Sequence, residues 1–167
     1  MPRIRLRDSS IPPALTGSVL IDELGLPRYW ATVWSVLHGA ALHESTLSAH
    51  LSVIETLYDS VKQQMHMDCL DRLITDLRFD DLEKCLEGFF VSLRNRSAQN
   101  ESDHSANWRT AIAFVKDCVD RLARNSTTTH LDKLHSRLLR LERLYLDGVI
   151  RSNSAEVSES SRTIYRI

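Results

Sequence analysis

The residue types that could carry chemistry are plentiful in this chain but poorly grouped for it. Seven histidines stand at positions 38, 43, 50, 66, 104, 130 and 135. They form neither an HExxH helix nor a paired Cys/His cluster. His43 and His50 lie two helical turns apart, but no carboxylate or cysteine completes a ligand set there. No serine occupies a GxSxG elbow, and no GxxxxGK[ST] or GxGxxG loop is present to cradle phosphate. No metal, cofactor or small-molecule ligand is therefore expected. Asp68, Asp71, Asp76, Asp80, Asp81, Glu83 and Glu87 concentrate acid in one third of the chain. A solvated face with helix caps accounts for them better than a pair of catalytic carboxylates. Cys69, Cys85 and Cys118 are odd in number and widely spaced within helical patterns, which predicts buried free thiols.

Two groups of polar residues at predicted helix starts are better suited to binding. One comprises His43, Ser45, Thr46, Ser48 and Ala49, and the other His104, Asn107, Arg109 and Thr110. Short side chains at a helix N-terminus let phosphate approach the free backbone amides and the positive end of the helix dipole, and they can reach base edges. Lys116 joins the set where it shares the face of Arg109. Each residue taken singly serves equally well as an ordinary cap.

The elements that must position these groups follow from apolar spacing. Between Ser45 and Met65, Leu47, Leu51, Ile54, Leu57, Tyr58, Val61 and Met65 draw one stripe on one long, unbroken helix, with Ser45 as its cap. An earlier helix over 27–38 presents Trp30, Val33, Trp34, Leu37 and Ala41, with the tryptophans as core payload rather than a stacking platform. A short helix carries Cys69, Leu70, Leu73, Ile74 and Leu77. The next opens at a capping-box-like Asp80/Glu83 pair, presents Leu82, Cys85, Leu86, Phe89, Phe90 and Leu93, and ends near 94–96. The polar run 97–105 reads as a loop. Trp108, Ala111, Ile112, Val115, Val119 and Leu122 mark a further helix, and Leu131, Leu134, Leu138, Leu141 and Tyr145 a last one, capped by Thr128 or Thr129 and closed by Gly148. Residues 1–18 read as an extended arm, 19–22 as a short strand and 151–162 as a flexible linker.

Composition is that of an ordinary folded domain: 167 residues, 43% apolar and 26% charged, with a formal net charge of −1. No apolar run approaches the roughly 20 residues that cross a bilayer, and no secretory leader precedes the fold, so no membrane and a cytoplasmic location are expected. Charge is uneven: residues 1–27 balance, 28–125 carry −3 and 126–167 carry +2. The mildly acidic centre counts against a strongly electrostatic nucleic-acid binder, because Lys and Arg contacts to phosphate dominate such affinity.

Taken in order, IDELGLP, RYWATVWSVLHGAAL, STLSAHLSVIETLYD, LRFDDLEKCLEGFFVSLRN and NWRTAIAFVKDCVDRL resemble the N-terminal half of tyrosine-type site-specific recombinases, the phage-integrase family. Thr46 and Leu47 with Leu51, Ile54, Leu57 and Tyr58 match that family's second helix. The resemblance spans about residues 19–145. It implies an all-α fold, a small orthogonal SAM-like core-binding bundle of about five helices, with an N-terminal arm and short hairpin over 1–26, the helical domain over 27–149 and a linker over 150–167. It implies a DNA-binding module for integration and recombination that clamps one face of double-stranded DNA, with Ser45, Thr46, Ser48, His104, Asn107, Arg109, Thr110 and Lys116 as contact candidates and self-association on the DNA. Family catalysis needs a tyrosine nucleophile and an Arg, Lys and His cluster in a C-terminal domain. Tyr29, Tyr58, Tyr145 and Tyr165 match no such position, so no catalytic residue carries over and the chain reads as a fragment without enzymatic activity of its own. The alternative is a helical protein–protein interaction module built on the leucines of 131–145.

Overall fold

The computed structural model describes residues 3–6, 17–100, 104–123 and 135–143. The chain forms a mostly helical bundle around α2 (Glu44–Met65), which packs against α1 (Tyr29–Gly39), α4 (Phe79–Asn100) and α5 (Ser105–Ala123). The predicted stripe lies inward: Leu51, Ile54, Leu57, Tyr58 and Val61 are buried, while Leu47 and Met65 pack at the margin. One difference lies at the start. The helix begins at Glu44, so the cap is His43 rather than Ser45, and the His43 Nδ1 accepts from the Ser45 amide at 3.4 Å. His66 ends the helix in the left-handed region, at φ 56°.

The N-terminal residues are more than an arm. β1 (Arg3–Leu6) and β2 (Gly17–Leu20) pair antiparallel, with Arg3 opposite Leu20 and Leu6 opposite Gly17. The strand expected over 19–22 therefore starts two residues earlier. Leu20 is buried in the same core as Trp30 and Trp34, which fastens the ribbon to the bundle. The expectation for α1 holds for the tryptophans but not for Leu37 and Ala41, which are exposed because the bundle covers only the first two turns of that face.

α3 (Leu70–Thr75) is a single short helix whose Leu70, Leu73 and Ile74 are buried. α4 runs to Asn100, through the first part of the stretch expected to be a loop, since Ser97, Ala98, Gln99 and Asn100 include neither glycine nor proline to stop it. Its first helical residue is Phe79, so Asp80 lies inside the first turn and does not form the expected capping box. A last helical segment, α6, is described over 135–143. Its Leu138 and Leu141 are buried in the common core. Arg137 donates to Asp80 at 2.9 Å and also to Glu83, while Lys116 pairs with Glu142 at 3.6 Å and His135 with Asp120 at 3.1 Å. The two leucines described in this helix thus pack on the chain's own core. Thr128, Thr129, Leu131, Leu134, Tyr145, Gly148 and the linker at 151–162 lie outside the described residues. Among the described residues, no helix is long and apolar enough to cross a membrane.

Candidate nucleic-acid interface

A polar network at the junction of α1, α2 and α3 sets the bundle's frame. α1 has no side-chain cap of its own. Its free amides are met from α3, where Asp71 accepts from the Tyr29 N–H at 2.9 Å and the Trp30 N–H at 3.1 Å. The same carboxylate accepts from the Tyr58 hydroxyl at 2.5 Å. Burial, and then the negative charge and hydrogen bond of Asp71, push the Tyr58 phenol well above its ordinary pKa. Arg28, 4% exposed, lies 4.2 Å over the Tyr58 ring and donates to Asp68 at 2.6 Å. Burial opposes the Arg28 charge, and Asp68 more than offsets it, so its pKa is raised.

A second junction ties α1 to α5. Asp117 accepts from the Trp34 indole N–H at 3.0 Å and lies 2.9 Å from His38 Nε2. Phe114 of α5 stands against both Trp34 and Tyr58, at 6.4 and 6.3 Å between ring centroids, and Trp34 stands 5.8 Å from His50. Phe114 thus links α5 to both α1 and α2, and Trp34 links α1 to both α2 and α5. Both α1 tryptophans are buried and each indole N–H is engaged, Trp30 with Thr75 at 3.0 Å, so neither is a platform for bases.

On this frame the candidate side chains divide. Ser45 and Thr46 are exposed in the first turn of α2, with Ser45 Oγ 2.9 Å from His43 Nδ1, and Ser48 is half-buried. At α5, Asn107 lies 3.2 Å from His104 Nδ1, both half-buried, and Thr110 is likewise half-buried. Arg109 is exposed, and among the described residues it has no ion-pair partner. Lys116 lies two turns along the same face, but its side chain is 23% exposed and turned to Glu142. The fold thus gathers each helix-start group locally and draws Lys116 away.

The acidic centre has a different meaning once the pairs are known. Asp68 is held by Arg28, Asp76 by Arg72, Asp81 by Arg78, Asp80 and Glu83 by Arg137, and Asp117 and Asp120 meet histidines. Much of the central acid is answered within the fold. Lys84, Arg94, Arg96, Arg109, Arg140 and Arg143 are exposed cations without an ion pair among the described residues. Phe90 meets Trp108 edge-on at 5.4 Å, which holds the second half of α4 to the start of α5. Arg94 and Arg96, absent from the sequence-derived candidates, therefore belong to the same helix pair as Arg109. The available signal was the lack of any helix breaker between Leu93 and Asn100.

The three buried cysteines are free. Burial raises the thiol of Cys85 to about 11, and it raises Cys69 and Cys118 as well, so all three are held as unreactive thiols. Compared with models of known protein families, with curated proteins and with solved structures, the chain matches none at a significant level.

Proposed function

We propose that this domain is a non-catalytic DNA-binding module of the tyrosine-recombinase type, a SAM-like core-binding bundle that lays the starts of α2 and α5 against one face of a duplex. The observation that carries the reading is the division of charge. Much of the central acid is paired within the fold, whereas Arg94, Arg96 and Arg109 on the α4–α5 pair are exposed without an ion pair among the described residues. Ser45 and Thr46 supply short, exposed donors at the N-terminus of a 22-residue helix, a setting that favours phosphate. The module is read as lacking strand cleavage of its own, because none of its tyrosines matches the position of the family's nucleophile. Among the described residues, Tyr58 is buried and tied to Asp71, and Tyr29 is exposed at the start of α1.

Two or three phosphate contacts make binding weak and only moderately salt-dependent, with a log–log slope on the order of −2 to −3 and a Kd in the micromolar range or above at physiological salt. Fluorescence anisotropy on a labelled duplex at a series of salt concentrations tests this. Arg109→Ala should weaken binding and reduce the slope by about 0.9. Arg140→Ala on α6 serves as the control and should leave both unchanged. No binding at low salt, or equal effects of the two substitutions, overturns the reading.

A further inference from the structure

Four large apolar side chains stand in solvent where α2 finishes: Leu24 at 84% exposed, Leu26 at 59%, Tyr29 at 60% and Met67 at 54%. They come from separate stretches that the fold ties to one another. Arg28 bonds to Asp68, so the neighbours Tyr29 and Met67 flank one part-buried ion pair, and Lys62 of α2 holds Glu23 in the turn that carries the leucines. That turn is closed by its own hydrogen bonds. Asp22 Oδ1 accepts from the Leu24 N–H at 2.9 Å and the Leu26 N–H at 2.8 Å, and the Asp22 N–H donates to the Leu26 carbonyl at 2.8 Å. Gly25, at φ +81°, supplies the backbone shape that this closure needs. Leu24 and Leu26 are thus held outward by a pre-organised loop, and exposed apolar side chains carried on segments tied together by ion pairs offer a contact surface.

The charge around the cluster identifies the occupant. With Arg28 paired to Asp68 and Lys62 to Glu23, Asp22, Asp59 and Asp71 leave this region acidic, and beside the leucine turn runs an open groove lined by Glu23, Asp59, Lys62, Gln63 and His66. A second copy docked face to face would set this acid against itself. We propose that the surface formed by Leu24, Leu26, Tyr29 and Met67 docks an amphipathic segment of a partner protein, leucine-rich on one face and flanked by Lys and Arg. Met67 adds a deformable contact and Tyr29 a flat anchor. α2 spans about 30 Å at a rise of about 1.5 Å per residue, so this surface lies far from the helix start and can be occupied while that start is engaged. The inference stands independently of the DNA reading.

The test uses the full chain and two labelled synthetic helical peptides with identical leucine positions, one carrying Lys and the other Glu on the flanks. Fluorescence anisotropy should show the Lys peptide binding at least about tenfold more tightly than the Glu peptide. In the Leu24→Ser/Leu26→Ser variant its affinity should fall by about tenfold or more. Both leucines are solvent-exposed, so circular dichroism should report an unchanged fold for that variant. Absence of binding, equal affinity for the two peptides, or an unaffected variant overturns the proposal. So does a concentration-dependent dimer in sedimentation velocity that the variant abolishes, which gives the surface to a second copy.

Discussion

Replacing Asp71 with alanine removes one carboxylate that serves three donors on two other elements: the Tyr29 and Trp30 amides of α1 and the Tyr58 hydroxyl of α2. Loss of the cap on α1 costs about 1 kcal/mol. The Tyr58 hydroxyl, on a residue only 1% exposed, is left without this acceptor, which adds about 1–3 kcal/mol. Asp71→Ala should therefore destabilise the fold by about 2–4 kcal/mol, a large share of the about 5–15 kcal/mol typical of a domain. Tyr58→Phe should cost only about 1 kcal/mol, because the carboxylate keeps its two amide donors. In the Tyr58→Phe background no hydroxyl remains to be orphaned, so Asp71→Ala should then cost only about 1 kcal/mol, the value of the cap. Urea denaturation followed by circular dichroism on the four proteins of the cycle measures each step. A cost for Asp71→Ala below about 0.5 kcal/mol, or one unchanged by the phenylalanine, would refute the account of this node.

Gly88→Ala sets two effects against each other. The new methyl would collide with Gln64 Oε1, so that flexible amide must swing away and lose its 3.1 Å bond to the Cys85 carbonyl, while alanine gains about 1 kcal/mol of helix propensity. Denaturation should find a net change within about 1 kcal/mol, and a loss above about 3 kcal/mol would mean that backbone rather than the glutamine had to move. The raised thiols set the alkaline limit. Cys85 has an ordinary value of 9.0 and is pushed up to about 11 by burial, so its contribution to stability is full below pH 9 and is lost as pH rises towards 11. Cys118 and Tyr58 are raised in the same direction. The thermal midpoint should fall across that window, Cys85→Ala should flatten the fall, and a midpoint that is level from pH 9 to 11 would contradict it.

What the sequence made legible was the local periodicity. Leu51, Ile54, Leu57, Tyr58 and Val61 share a face because of their spacing, and the structure buries that face. The helical class follows from such stripes, since each must find another to cover it. Partnerships across the chain were not legible. Asp117 lies 83 residues from Trp34, and nothing in either neighbourhood announces that the acid will hold an indole. The same holds for Lys116, which shares the helical face of Arg109 by spacing but is drawn to Glu142 by packing. Which cations remain exposed is a property of the folded chain. The −3 of the central region could not distinguish acids already answered by a neighbour from acids left to repel a phosphate. A short hairpin was expected within residues 1–26, but its register, Arg3 opposite Leu20, was not legible from strand propensity.

The position of Asp71 also has a consequence for the order in which this protein takes shape as it is synthesised. α1 has 11 residues and no cap of its own, short enough to be marginal as an isolated helix in water. The group that satisfies its first amides emerges from the ribosome more than 40 residues later. α2 carries its own cap and is twice as long, so it can become ordered while α1 still fluctuates. During vectorial synthesis, which adds about 5–20 residues per second, the N-terminal helix must therefore wait some seconds for α3 before it can settle.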